Sequence, residues 1–369
     1  MPRLICYNLS MADITSSYSL DEQAAVDKAR GTTAAADYQK SATLKAAGYV
    51  PPPTTVRRGT RMGISAGSTA SLAVLDGVVA LGLGWVRVSH EFGWTGTVAA
   101  LKATCDAAHA RGLKVIQCVQ KSGKRYDGGA ADITNLTQFA IDCIAAGADV
   151  IEVGNEWNHG PFWLAPAYNI MPPARQAEVS TGIAKGIRAK YPNFPVVTNG
   201  MSPQANQQNP YLWWPQFWDC RATDMAASKW TGVGVHPYCY PELATTNPIQ
   251  WNPMAQVPSL SSASKQRGMT GEVWLTEFGA PGFATNAPVI RNIALTEARQ
   301  NDCFNAYFTM IRQHEAAGIK LRGMCIATLI DGQSVTTSVE QGLGLIRKDG
   351  TKKPAWTTVK NFADELVAI

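Results

Sequence analysis

The sequence predicts a single (β/α)8 barrel, and three observations support this fold class. From residue 61 onward, short runs rich in Val and Ile alternate with helical patterns, and eight such runs can be drawn. Several helical patterns end in a glycine just before the next strand, where a left-handed residue closes a helix. No glycine-rich phosphate loop follows the first strand, so an open nucleotide-binding sheet lacks its fingerprint. Eight strands, each followed by a helix, is the count that closes a parallel barrel.

The predicted elements follow one another with the spacing of a strand–helix repeat. The predicted strands are Met62–Ala66, Trp85–Glu91, Lys114–Val119, Val150–Asn155, Pro195–Asn199, Gly232–Tyr238, Val273–Phe278 and Arg322–Leu329. The clearest predicted helices are Ser71–Leu81, Val98–Arg111, Leu136–Ala146, Arg175–Lys190, Leu295–Ala317 and Thr357–Val367. The glycines expected to close helices are Gly82, Gly112, Gly147 and Gly318.

The first sixty residues differ in character from the rest of the chain. Leu20–Gly48 is typical of one Ala-rich, highly charged helix, and Pro51–Pro53 then stops it and predicts an extended spacer. We therefore expect residues 1–60 to form a helical appendage with a Pro-rich linker, and residues 61–369 to form the barrel domain. The appendage either packs on the barrel or docks onto a larger assembly.

Composition excludes several classes of function. Hydrophobic residues make up 46% of the 369 residues and charged residues 17%, which is typical of a well-buried globular enzyme. The net charge of +5 and the absence of a long Lys/Arg run predict no nucleic-acid partner. The longest apolar-leaning stretch, Val74–Val88, is too short to span a bilayer, so no membrane insertion is expected.

The eight cysteines are scattered through core-like segments, which favours buried free thiols over disulfides. Only five histidines are present, and none lies near a Cys pair at ligand spacing. We therefore expect no metal site and no cofactor.

Two glutamates end buried strands on the side of the barrel where active sites lie. Val153-Gly154-Asn155 leads into Glu156 on the fourth strand, and Leu275-Thr276 leads into Glu277 on the seventh. A glutamate at the end of an apolar strand is costly unless it is paired or functional. A rim salt bridge with Arg87 is the alternative for either residue alone. Two carboxyl groups at one rim are what glycoside hydrolysis requires.

The Asn-Glu pair ending strand four and the lone Glu ending strand seven resemble the catalytic pair of the clan A glycoside hydrolases. These are retaining (β/α)8 enzymes that include cellulase-like and β-xylosidase-like families. The resemblance covers roughly residues 61–369. It implies that Glu156 is the acid/base and that Glu277 is the nucleophile.

The same resemblance implies roles for four further residues. Asn155 matches the asparagine that binds the sugar 2-hydroxyl, and Arg87 matches the arginine that keeps the nucleophile ionised. His236 and Tyr238 match a strand-six pair, with Tyr238 expected near the nucleophile; a buried core histidine and a packing tyrosine are the alternatives. His90 could contact sugar from the same rim or be an ordinary polar rim residue.

Aromatic residues in the segments after the strands predict sugar-stacking surfaces. We expect Trp157 and Trp163 to bind substrate. The other tryptophans near this face are Trp94, Trp213, Trp214 and Trp251. Alternatively, Trp213, Trp214 and Trp218 form an amphipathic helix packed on the barrel. The tryptophan that relatives often carry at the end of strand eight is missing, so the identity of the sugar is not predicted. Long insertions after strands four, five and six favour endo action.

The predicted partner is therefore a polysaccharide or oligosaccharide substrate. The alternative is a catalytically inactive carbohydrate-binding barrel that serves as an adhesin or assembly component. The N-terminus shows no secretory signal. By analogy alone, residues 1–60 would suit a phage tail protein or lysin that acts on bacterial surface glycans, which predicts a virion-associated location, with a cytoplasmic location as the other possibility.

Overall fold

The computed structural model describes residues 61–67, 70–121, 130–158, 172–202, 210–246, 252–332 and 339–367. The predicted appendage, residues 1–60, lies outside the described residues, and so do Trp163 and Trp251. Among the described helices, none is long and apolar enough to cross a membrane.

Strands and helices alternate along the chain as the sequence predicts. The strands are β1 (Met62–Ser65), β2 (Trp85–Val88), β3 (Glu91–Phe92), β4 (Lys114–Lys121), β5 (Val150–Asn155), β6 (Val196–Gly200), β7 (Val233–Gly234), β8 (Val273–Trp274), β9 (Val289–Ile290), β10 (Ile293–Ala294), β11 (Leu321–Arg322) and β12 (Met324–Ile326). The α-helices are α1 (Leu72–Ala80), α2 (Thr97–His109), α3 (Ala130–Ala145), α4 (Pro173–Lys190), α5 (Pro210–Asp219), α6 (Ala222–Ala227), α7 (Pro253–Gln266), α8 (Glu297–Ala316) and α9 (Pro354–Val367).

The parallel strands close into a ring. Six of them pair in the order β12-β1-β2-β4-β5-β6, and β7, β8 and β11 form a second parallel set. Single parallel bridges join the two sets, between Met201 and Val235 at one seam and between Phe278 and Ile326 at the other. The predicted (β/α)8 barrel is confirmed. The predicted eighth strand is split between β11 and β12, and the short pair β9–β10 is an antiparallel hairpin in the segment after β8.

Helix ends follow the local chemistry of the sequence. The Ser71 hydroxyl accepts a hydrogen bond from the Val74 amide and caps α1. The four glycines expected to close helices all have positive φ, from +73° to +111°. After the last of them, the Ile319 amide donates to the His314 carbonyl at 3.0 Å, which closes α8 as a left-handed C′ residue allows.

Helices α5, α6 and α7 extend the predicted set. Trp214 and Trp218 in α5 are buried and stack with ring centroids 5.5 Å apart, so these two residues pack in the core rather than face a sugar. Pro215 lies inside α5 and Pro258 inside α7, and interior prolines weaken the helical pattern in the sequence. The Trp213 side chain lies outside the described part.

The amino-terminal half of the barrel interior is apolar. Trp85 and Trp274 meet edge to face at 5.9 Å. A Cβ on Gly63 would lie 2.5 Å from the Trp85 carbonyl oxygen, and one on Gly232 would lie 2.5 Å from the Trp274 ring, so glycine makes room for the Trp85 backbone and for the Trp274 indole. The aliphatic and thiol side chains packed around them are Ile116, Val150, Val197 and Cys325. We call these four side chains, together with Trp85 and Trp274, the apolar floor.

The cysteines of the described residues are free thiols, as the sequence predicts. Cys220 is exposed and the others are buried. Cys6 lies outside the described residues.

Candidate active site

The two predicted catalytic glutamates lie at the carboxyl end of the barrel. Glu156 directly follows β5, and its amide donates to the Gly200 carbonyl of β6 at 3.0 Å. Its φ of +46° is a left-handed conformation that a non-glycine residue adopts at a cost in free energy. Glu277 stands three positions after β8, and its side chain is 21% exposed. Backbone strain of this kind clusters at functional sites.

His236 joins the two carboxylates. Its Nδ1 lies 2.7 Å from Oε1 of Glu156 and 3.3 Å from Oε2 of Glu277. One side-chain atom of each of the three residues lies within 4.8 Å of the other two. The imidazole is fully buried, whereas Glu277 is open to solvent, so the cluster has one side within reach of a substrate.

The charges around His236 determine its protonation. Burial alone would lower the pKa of the imidazole, but Glu277, Glu152 and Glu156 together raise it to about 9. The ring is therefore a cation at neutral pH. The same three residues could also surround a metal ion. The 2.7 Å between Nδ1 of His236 and Oε1 of Glu156 is the length of a direct hydrogen bond between the two side chains.

Arg87 connects this cluster to the strands behind it. The guanidinium is buried and donates from Nε to Oε2 of Glu152 at 2.6 Å and from Nη2 to Oδ1 of Asn155 at 2.8 Å. Its Nη1 donates to Ser65 at 3.2 Å and lies 3.9 Å from Oε1 of Glu277. Because only the oxygen of an amide accepts from Arg87, this contact orients the Asn155 side chain.

Glu152 is a residue of the candidate site that the sequence reasoning missed. Its fully buried carboxylate accepts from Arg87, from the Gly200 amide at 2.8 Å and from the Thr276 hydroxyl at 2.6 Å. Burial opposes ionisation, but Arg87 and His236 outweigh it and lower the pKa of Glu152 to about 2. A charged residue in the middle of the apolar run Val150–Val153 was the signal in the sequence.

Two tyrosines flank the cluster. Tyr238 packs edge-on against His236 at 6.5 Å and against Tyr240 at 5.9 Å. Burial, reinforced by the charges of Glu277 and Glu156, raises the pKa of the Tyr238 phenol well above its usual range. Tyr238 is therefore neutral and near both carboxylates.

The remaining predicted substrate contacts have different surroundings. His90 is 2% exposed, and burial lowers the pKa of its imidazole to about 4, so it is neutral. Trp157 is fully buried, and a Cβ on Gly154 would lie 2.3 Å from its ring. This is the position of a packing residue, so it gives no support to the predicted sugar stacking by Trp157. Trp163 lies outside the described residues.

No protein-family model matches this chain, and no curated protein sequence does. Solved structures do match it. A family 39 glycoside hydrolase from Bacteroides cellulosilyticus WH2 superposes with a TM-score of 0.64 at 13% identity, over 86% of this chain and 66% of that one. The family 1 β-glucosidase from Thermotoga maritima gives 0.59 at 12% identity, over 84% and 98%. A GH5_18 protein from Bifidobacterium longum subsp. longum gives 0.57 at 14% identity, over 83% and 79%.

The structural neighbours are clan A glycoside hydrolases, of families 39, 5, 1 and 128. At identities of 12–16% the likeness shows the fold, which is the (β/α)8 barrel of these enzymes. The resemblance predicted from the two glutamates is therefore confirmed at the level of the barrel. The chain spans 66% of the family 39 structure and 60% of an exo-β-1,4-mannosidase from Opitutaceae bacterium strain TAV5, less than two thirds of either.

Proposed function

We propose that the protein is a retaining glycoside hydrolase that acts on a polysaccharide or oligosaccharide. One observation carries the proposal: Glu156 and Glu277 meet at the carboxyl end of the barrel, with carboxylate oxygens within 4.8 Å of each other. Retaining glycosidases hold their carboxyl groups about 5–5.5 Å apart, whereas inverting enzymes need about 6.5–9.5 Å to admit a water molecule. The short separation favours direct attack by one carboxylate.

In the first step, the carboxylate of Glu277 attacks the anomeric carbon. The bond between that carbon and the leaving oxygen breaks, and Glu156 gives its proton to the leaving oxygen. The product of this step is a glycosyl ester on Glu277. The Glu277 side chain is partly exposed, as a nucleophile that must reach substrate requires.

In the second step, water attacks the same carbon. Glu156, now a carboxylate, takes a proton from that water, and the ester bond to Glu277 breaks. Nδ1 of His236 donates to Oε1 of Glu156 at 2.7 Å. The imidazole thereby holds the acid/base in one orientation through both steps.

Neighbouring residues support these roles. Arg87 lies 3.9 Å from Glu277, which is the neighbour that the resemblance implies for it. Arg87 also orients the Asn155 amide so that its NH2 group can donate to a sugar hydroxyl. The prediction of endo action depends on segments that include residues 159–171, 203–209 and 247–251, which lie outside the described part of the chain.

The test is a screen of polysaccharides, including bacterial cell-envelope glycans, for release of reducing ends. Glu277→Gln is the control, because it preserves shape and removes the nucleophile. Proton NMR of the first product formed on the best substrate then reports its anomeric configuration. We expect retention. An initial product of inverted configuration contradicts the mechanism, and substrate binding without turnover across the screen supports the carbohydrate-binding alternative.

A further inference from the structure

Glu152 makes more contacts than a simple ion pair needs. Its Oε2 faces Arg87, while its Oε1 accepts from Gly200 and Thr276 and lies 3.8 Å from Nε2 of His236. These partners come from β2, β6, the segment after β7 and the segment after β8. One buried carboxylate therefore touches both cations of the candidate active site.

Charge balance explains why an anion belongs at this position. Arg87 and the protonated His236 are both positive, and Glu152 lies 2.6 Å from the first and 3.8 Å from the second. Without the charge of Glu152, the positive charge next to His236 would be less compensated, and this favours loss of the His236 proton.

Stability alone does not account for the buried ion pair of Arg87 and Glu152. Burying two ions costs about as much free energy as their attraction returns, and apolar residues of similar volume fill such a space at least as well. Two positions before Glu152 along the same strand lies Val150 of the apolar floor, which shows that this barrel packs hydrocarbon where no charge is needed.

We infer that Glu152 is a positioning residue for the proposed reaction: its buried carboxylate orients Arg87 and keeps His236 in the protonated form that donates to Glu156. The inference rests on the proposed function for its catalytic consequence. Its electrostatic consequence can be measured without any substrate. The groups that face His236 are Glu152, Glu156, Glu277 and Tyr238.

The first measurement is an NMR titration of the imidazole nitrogens in wild type and in Glu152→Gln, with His236→Gln used to assign the signal. We expect wild-type His236 to stay protonated above pH 8 and the variant to lose the proton at a pH lower by about one unit or more. An unchanged midpoint in the variant overturns the inference. A neutral wild-type His236 at pH 7 overturns it even where the variant fails to fold.

Thr276→Val is the matched control, since it removes one hydrogen bond to Glu152 and leaves the charge in place. We expect its His236 midpoint to move much less than that of Glu152→Gln. Equal shifts in both variants would mean that the hydrogen-bond network, rather than the charge of Glu152, determines the protonation of His236.

Activity supplies the second measurement once a substrate is known. In Glu152→Gln the alkaline limb of kcat/KM should move to lower pH by about one unit, because fewer anions weaken proton binding at Glu156. In an Arg87→Gln background, Glu152→Gln should add little further loss of kcat, since the two side chains act together. Full additivity of the two losses, with an unmoved pH profile, contradicts a positioning role. A shifted His236 titration in a protein without hydrolase activity refutes the proposed function alone.

Discussion

The two ends of the barrel interior follow opposite chemistry. The apolar floor packs two indoles against aliphatic side chains with no buried charge among them. Two residues further along the same strands, Trp85 is followed by Arg87 and Val150 by Glu152, and both charged side chains are buried. Inward-facing positions two residues apart on one strand thus hold apolar side chains at the amino-terminal end of the barrel and charged side chains at the carboxyl end.

The difference indicates that one end of the barrel interior contributes mainly to stability and the other mainly to the proposed catalysis. The floor gains free energy from packing and removes apolar surface from water. At the charged end, ion pairing offsets the free-energy cost of removing charged side chains from water. The same end holds Glu156 in a strained backbone conformation. Substitutions at the charged end should therefore change activity first, and substitutions in the floor should change stability first.

The largest expected effect is at the charged end. Glu277→Gln should lower kcat by about 10⁶-fold, on the scale seen when a covalent nucleophile is removed from an enzyme. Its melting temperature should stay close to that of wild type, since the side chain is partly exposed. Steady-state kinetics and a thermal melt monitored by circular dichroism measure both. A large fall in melting temperature would show that the two ends are not separable.

The next largest effect is in the floor. Trp274→Ala should reduce the free energy of unfolding by about 3–5 kcal/mol, because it empties a fully packed position. Its kcat should remain near wild type. Denaturant unfolding measures the loss, and Trp85→Ala, at a half-buried position, should cost less. Loss of kcat in a variant that remains folded would mean that the floor also positions the catalytic end.

The pH dependence of stability should include a contribution from His236 at the charged end. The native state keeps the His236 proton up to about pH 9, whereas an ordinary histidine releases it near pH 6.5. Stability from this group is therefore complete below pH 6.5 and is lost as the pH rises through 9. The loss is on the order of 3 kcal/mol. Denaturant midpoints from pH 6 to 9.5 measure it, and His236→Gln should flatten the curve; an unchanged slope contradicts the assigned protonation.

The smallest effect lies outside both ends. Gly318→Ala should cost about 1 kcal/mol of stability, since alanine is strained at a φ of +78° and a Cβ there would meet no atom within 4 Å. Its kinetics should match wild type. The variant measures the effect of backbone strain without any loss of packing. A loss of unfolding free energy as large as that of Trp274→Ala would contradict the view that packing in the apolar floor dominates stability.

Much of the barrel was predictable because its signals are local. Runs of β-branched residues, helix-closing glycines such as Gly318 and the Ser71 cap act within a few residues of themselves. Helix α5 was harder to predict, because Pro215 interrupts its pattern and its tryptophans pack against distant parts of the chain. The burial of Trp157 was equally hard to predict, because it depends on neighbours in the folded protein.

The sequence by itself determined the barrel and the pair Glu156 and Glu277, because strand ends and chain order place both at one rim. The resemblance also implied Arg87, Asn155, His236 and Tyr238 beside them, but only the tertiary structure decided the contacts among these residues and added Glu152. Glu152 and Arg87 lie on two strands and His236 follows a third, far apart in the chain, so their contacts exist only when the ring closes. The protonation state of a buried group depends on its distances to other charged groups and on its burial, and local sequence encodes neither the distances nor the burial.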